Sequence, residues 1–237
     1  MPNSKAFIIP ISVIVIIGAL AFPVFAMAYN PGVTVGQYVK YGNFVGTGTG
    51  VESFNAYSWT KLQVIDVSGK EITLLSTGQF KDGTATPGNG TTEVWNIETG
   101  TQNGIPNTQG PIIAANLTQG EVIPPANTYI VNSTENRVYL GISRSVNMLE
   151  TTVSTPDYST SLTYIYDKAS GILLESNVET TQTQPQATTS QYSYRIIETN
   201  IFASTPKTPS LNLSIIAVIV IISVATIIVL VGNRKRL

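Results

Sequence analysis

Apolar and polar residues alternate with a period of two along most of this chain, between about residues 33 and 202. Such alternation buries one face of an extended strand and leaves the other polar. Residues 33–42 form the first unit, β-branched and aromatic with glycines at its bends. Residues 59–67 and 71–77 read as a hairpin around Ser68, Gly69 and Lys70, with Leu62 and Val64, then Ile72 and Leu74, facing one way. Residues 92–98, carrying Val94, Trp95 and Ile97, give one strand inside a Gly/Asn/Thr/Pro-rich stretch from 79 to 110 that otherwise reads as loop. A further hairpin is expected between 129–131 and 137–143 around a turn at 133–136, with Val138, Leu140 and Ile142 on one face. Residues 144–153 continue the meander. Residues 161–166 and 171–178 flank a turn at 167–171, whose Gly171 supplies the positive φ such a loop needs, and 191–202 form the last strand. Only residues 51–57 suggest a short helix. The expected fold is all-β, with about 9–10 antiparallel strands in a meander, sandwich or curved half-barrel.

The two ends depart from this pattern. Residues 213–231 contain no charge, Pro or Gly, and about nineteen residues of helix cross roughly 30 Å of hydrocarbon. Residues 211–232 are therefore expected to be a transmembrane helix, and Arg234, Lys235 and Arg236 in the tail 233–237 hold the C-terminus on the cytoplasmic side. At the other end Lys5 precedes an apolar run, 6–22, and the small residues Val24, Ala26 and Ala28, which is the layout of a signal peptide over 1–28. If it stays uncleaved, it becomes a second span with the same topology. Either way residues 29–204 form an extracytoplasmic domain, joined by a Pro/Thr stalk at 205–210 to a cell-membrane anchor.

Between residues 29 and 210 lie nine of the thirteen basic residues and all fourteen acidic ones, a net charge of −5 that argues against a nucleic-acid partner. The chain has no Cys and no His. Disulfides, Cys–His or Ser–His–Asp nucleophile systems and His- or Cys-ligated zinc are thereby excluded, and no cofactor is expected. Carboxylate chemistry remains. Glu175, Asn177 and Glu179 share one face of a strand, as a paired-carboxylate hydrolase or a calcium site would require, but a solvated face opposite Ile172, Leu174 and Val178 is the simpler reading. No catalytic or metal-ligating residue is assigned. Asp82-Gly83-Thr84 lacks the alternating ligands of a calcium loop, and residues 46–50 lack the Lys-Ser/Thr of a phosphate loop.

Two other patterns suit a surface protein. Asn89, Asn116, Asn132 and Asn212 open N-x-[ST] sequons. Tyr164 and Tyr166 share one strand face, as do Tyr192 and Tyr194, with Tyr158 close by; as neighbours they would form either core or a platform for a sugar or apolar ligand. The pattern T-x-G-[QE]-x-[VI] also occurs twice, at 34–39 and 118–123, a hint of repetition.

The segment Val35-Gly36-Gln37-Tyr38-Val39-Lys40-Tyr41-Gly42, the element 117–120 and the hairpin Tyr164 to Glu175 resemble uncharacterised archaeal cell-surface proteins with a signal peptide, β-rich ectodomain and C-terminal anchor. The late hairpin also resembles one in the half-barrels of LolA-type lipoprotein carriers. The resemblance implies location and fold class and brings no active-site residues. Three function classes follow as expectations: a non-enzymatic module that binds or scaffolds an envelope protein or glycan; a binder of lipid, glycan or another small ligand in a β-cavity; and, ranked last, a carboxylate-dependent hydrolase.

Overall fold

The computed structural model describes residues 29–203 apart from 87, 89, 108–109, 126–128 and 183–186. The segments expected to be signal peptide, stalk and anchor, with Asn89, Asn212, Arg234, Lys235 and Arg236, lie outside the described residues. Within them, eleven strands form one antiparallel sheet. They are β1 (Tyr38–Thr47), β2 (Tyr57–Ser68), β3 (Glu71–Phe80), β4 (Thr91–Asn96), β5 (Thr101–Gln102), β6 (Ile105–Pro106), β7 (Ser133–Tyr139), β8 (Ile142–Ser154), β9 (Tyr158–Asp167), β10 (Leu173–Gln182) and β11 (Thr188–Thr199), with one short α-helix, α1 (Glu52–Asn55), and a 3-10 turn at Ile201–Ala203. The order across the sheet is β6-β5-β4-β3-β2-β1-β11-β10-β9-β8-β7. Two meanders are thus joined where the first strand pairs with the last.

The all-β class and the meander hold, and a single sheet replaces the sandwich alternative. The count exceeds the expected 9–10 because β5 and β6 are two residues each, too short to show an alternation. The hairpin expected around residues 133–136 needs correction. Those residues belong to β7, and the turn is Leu140-Gly141, with φ of 52° and 78°. The polar run resembles turn chemistry but occupies an edge strand, where polar side chains face solvent at little cost. Val138 pairs with Ser143 and Tyr139 with Ile142, so Val138 and Ile142 lie on opposite faces of the ribbon rather than on one.

One sheet face is covered by the connection at 107–132. Ile112, Ile113, Leu117, Ile123 and Val131 from this connection are buried against Val39, Tyr41, Ile72, Leu74, Leu162 and Tyr166 of the strands. The sheet curls around it. β4 and β9 are six strand spacings apart, roughly 29 Å if the sheet were flat, yet the Trp95 ring packs on Gly110 while the Tyr166 hydroxyl donates to the Gly110 carbonyl at 3.0 Å.

The recurring sequence pattern is also a recurring structure. Gln37 N–H donates to the Thr34 carbonyl and Glu121 N–H to the Thr118 carbonyl, closing turns with Gly36 and Gly120 both at φ 88°. In each, the fourth residue's side chain accepts from the first N–H, at 2.8 Å for Gln37 and 2.6 Å for Glu121. Each turn then docks on a valine: Gly36 N–H donates to the Val64 carbonyl and Gly120 N–H to that of Val131. Four residues thus encode the same turn twice, leading into β1 in one case and into the isolated bridge Val122–Ile130 in the other, the positive φ at the third making Gly the residue of choice.

The β1–β11 seam is clasped on its outer face. The Tyr38 hydroxyl donates to Glu198 at 2.7 Å, Lys40 pairs with the same carboxylate at 3.4 Å, and Lys40 and Lys61 lie over the Trp59 and Tyr38 rings. Asn200 accepts from Tyr38 N–H at 2.8 Å and donates to the Gly36 carbonyl at 3.2 Å. The start of β1 and the end of β11 therefore lie side by side at one end of the sheet.

The turn at 167–171 is held by a buried ion pair. Asp167, 1% exposed, accepts from Arg144 Nε and Nη2 at 2.8 and 2.9 Å and from Ser170 N–H and Oγ. Gly171 has φ 73°, and a Cβ there would fall 2.0 Å from the Ile113 carbonyl oxygen, so no other residue fits. Asp167→Asn should lower unfolding free energy by about 3–5 kcal/mol, because a buried guanidinium loses its counter-charge; a urea titration of the two proteins compared under identical conditions checks this.

Candidate functional site

The covered face divides into two regions. At the end where the chain enters and leaves, the 107–132 connection fills it. The gap left between Trp95, Ile112, Ile113 and Ile123 measures about 10 Å³, no more than one water can occupy. At the opposite end aromatic rings take over. Phe44 stacks on Tyr194 at 5.6 Å between centroids, Phe54 of α1 meets Phe44 edge-on at 5.2 Å and Tyr192 at 5.5 Å, and Tyr57 packs on Phe80 at 4.8 Å. All six rings are half-buried rather than sealed.

Local sequence explains how they converge. A bulge at Asn43, φ 54°, resets the alternation of β1, so Phe44 follows Tyr41 onto the covered face. The Asn55 amide accepts from Gly46 N–H at 2.6 Å and donates to the Gly46 carbonyl at 2.9 Å, which ties α1 back onto β1 and presents Phe54 to the rings. Residues 46–50 therefore begin with a fixed point.

The expected tyrosine patch is divided by depth. β9, β10 and β11 are adjacent, and Tyr164, Tyr166, Tyr192 and Tyr194 all face the covered side. Tyr164 and Tyr166 are core, 4% and 1% exposed. Tyr192 and Tyr194 belong to the half-buried aromatic end, and Tyr158 sits exposed at the start of β9. Burial raises the Tyr41, Tyr164 and Tyr166 hydroxyls well above the usual phenol range, and raises Tyr194 to about 12. Sequence reasoning missed Phe44, Phe54, Tyr57 and Phe80, because the bulge and the loop before α1 hide their common face.

The carboxylate face is partly corrected. Glu175, Asn177 and Glu179 do share the outer face of β10, but Glu175 is not simply solvated. The Tyr139 hydroxyl donates to it at 3.1 Å, Arg195 is its cross-strand partner, and that guanidinium lies over the Tyr139 ring. Burial, then the Glu175 charge, raises Tyr139 to about 12. Asn177 accepts from Gln191 at 3.2 Å, and Glu179 is exposed. Among the described residues no three His, Cys, Asp or Glu side chains cluster as a metal site would need. Asp82 is engaged by Thr84, whose N–H and hydroxyl both donate to it and lower its pKa. Of the sequons, Asn116 is exposed at φ 62°, and Asn132 is exposed with its Oδ1 accepting from Glu150 N–H, so that bond does not use Nδ2, the atom to which an N-linked glycan would attach. Among the described residues no helix is long and apolar enough to cross a membrane. Compared with protein-family models and with curated proteins, the sequence matches none.

Two measurements follow from the division by depth. Tyr164→Ala should cost about 3–5 kcal/mol of unfolding free energy and Tyr192→Ala distinctly less, since one ring is core and the other is half-exposed; denaturant midpoints for the two variants would show it. Alkali is the second. Tyrosines whose folded pKa is raised stabilise fully below the unfolded value of 10 and lose that contribution as pH climbs from 10 towards 12. Stability should be flat up to about pH 10 and fall above it, with the buried tyrosines' share of the tyrosinate absorbance appearing together with unfolding.

Proposed function

We propose that this chain is a membrane-anchored, non-enzymatic surface protein, a half-barrel module that stands on the membrane at one end and recognises an envelope partner at the other. The observation that carries this reading is that the start of β1 and the end of β11 lie side by side at one end of the sheet, clasped by Asn200 between Tyr38 and Gly36, so both flanks leave the sheet at that end. Apolar flanks leaving from one end suit attachment to one bilayer whether or not the first is cleaved. The aromatic end then points away from the membrane, and its half-buried rings offer the flat apolar surface that sugars and apolar side chains stack on.

A second reading, a lipid or glycan binder, is favoured by those rings but in a rim version. A deep β-cavity fits poorly with the packed 107–132 connection. The hydrolase reading gains little. Glu175 and Glu179 have Cα atoms roughly 13 Å apart along a strand, and Glu175 is engaged by Tyr139.

The anchor is tested by alkaline extraction: the full chain should remain with the membrane pellet, and its release into the aqueous phase would refute the assignment. Recognition is tested with Phe54→Ala combined with Tyr192→Ala in the full chain. Capture of the partner from native membranes should fall at least about tenfold, a loss of roughly 1.4 kcal/mol, while the thermal midpoint shifts by only a few degrees. Unchanged capture would remove the aromatic end from consideration.

A further inference from the structure

The tip of the β7–β8 hairpin is apolar on every side. Val138 is 66% exposed, Leu140 45% and Ile142 45%. Register puts Val138 and Ile142 on opposite faces, with Leu140 at the apex. A protein groove or a flat partner covers one face of a ribbon; a ribbon apolar on both faces and at its apex suits surroundings that are apolar all round. Leu140 also stands at φ 52°, where Asn or Gly is the usual first residue of such a two-residue turn. A leucine held in that conformation in the open gains nothing for folding, and strain of this kind points to a role outside the fold.

The tip's position says what surrounds it. β8 begins at Ile142, but its pairing with β9 begins only at Val146, so the hairpin runs on past its neighbour. Tyr139 reaches Glu175 of β10, and the Arg144 guanidinium lies 4.7 Å over the ring of Phe202, one residue before the last described residue. The tip is therefore fixed beside the chain exit. From residue 203 to the apolar stretch at 211 the chain spans at most about 29 Å, even fully extended. Behind the tip Arg137 and Arg144 face each other across the ribbon, held by Glu135 and Asp167. That places two ion pairs one step behind an apolar apex, so the ribbon turns from apolar to polar within a few residues, as segments that lie in a membrane interface do.

We propose that Val138, Leu140 and Ile142 insert into the lipid interface beside the anchor, making the hairpin a second, non-covalent foot that fixes the domain's orientation on the bilayer. This rests on the anchored reading. The chain has no native Cys, so single-Cys full-length variants in lipid nanodiscs report position directly. A fluorophore at Leu140→Cys should be quenched by nitroxide-bearing lipid several-fold more than one at Val153→Cys, which is equally exposed but lies at the far end of β8. Ala217→Cys, inside the apolar stretch, reports the anchor itself. If the Ala217 label is quenched and the Leu140 label matches Val153, the foot is refuted while the anchor stands. If the Ala217 label is not quenched, the anchored reading fails and the foot falls with it. A Leu140 label shielded from aqueous quencher yet untouched by lipid nitroxide indicates a protein partner and overturns the proposal. Leu140→Asn separates docking from folding. Asn favours the positive φ, so the thermal midpoint should hold or rise, while lipid quenching of an Ile142→Cys label should drop at least about twofold.

Discussion

The structure depends on one pairing, that of β1 with β11. It joins the two meanders into a single sheet and brings together residues about 160 positions apart in sequence. Closing so long a loop before any contact repays it is entropically expensive, so the seam has to be favourable along its whole length. It is accordingly reinforced on both faces. Outside, Tyr38, Lys40, Lys61, Glu198 and Asn200 interlock. Inside, Tyr41 meets Tyr194 edge-on at 5.3 Å, and its hydroxyl donates to the Leu173 carbonyl at 2.9 Å. Loss of the seam would split the sheet into two pieces, each exposing half of the interior.

The second dependency is the segment 107–132, which supplies the interior with a surface no strand provides. Among its described residues, polar backbone groups find partners on the strands and turns they cross: Ile113 N–H donates to the Gly171 carbonyl, Asn116 N–H to that of Lys168, and the Asn147 side chain to that of Leu117 at 2.8 Å. This explains how a connection without regular structure can be buried. Buried irregular backbone is tolerable only where each group finds a partner. The same packing displaces the functional question from the middle of the sheet to its two ends.

Alternation along β2, β3, β9 and β10 made most of the strands legible, and the four-residue turn signature was visible as a repeated string before it was visible as a repeated geometry. What alternation cannot show is a reset. Asn43 shifts the phase of β1 and hides Phe44, while the polar composition of residues 133–136 disguises an edge strand as a turn. The Arg144–Asp167 pair is likewise silent in sequence, because 23 positions separate its members and only the β8–β9 register brings them together. The tyrosines were legible as a facing set, but depth was not: whether a ring is core or rim depends on how far residues 107–132 extend beneath it.

An open sheet has two margins, and here they are unequal. One ends on Ile105 and Pro106, where the proline has no N–H to offer an incoming strand. The other is β7, seven residues long and paired on one side only. A neighbouring chain thus finds one usable margin rather than two. Addition through that margin joins like to like about a two-fold axis and leaves nothing for a third chain to extend. Two such molecules that meet at this edge pair through their sheets, and the two-residue strand at the far margin gives a longer ribbon little to grow on.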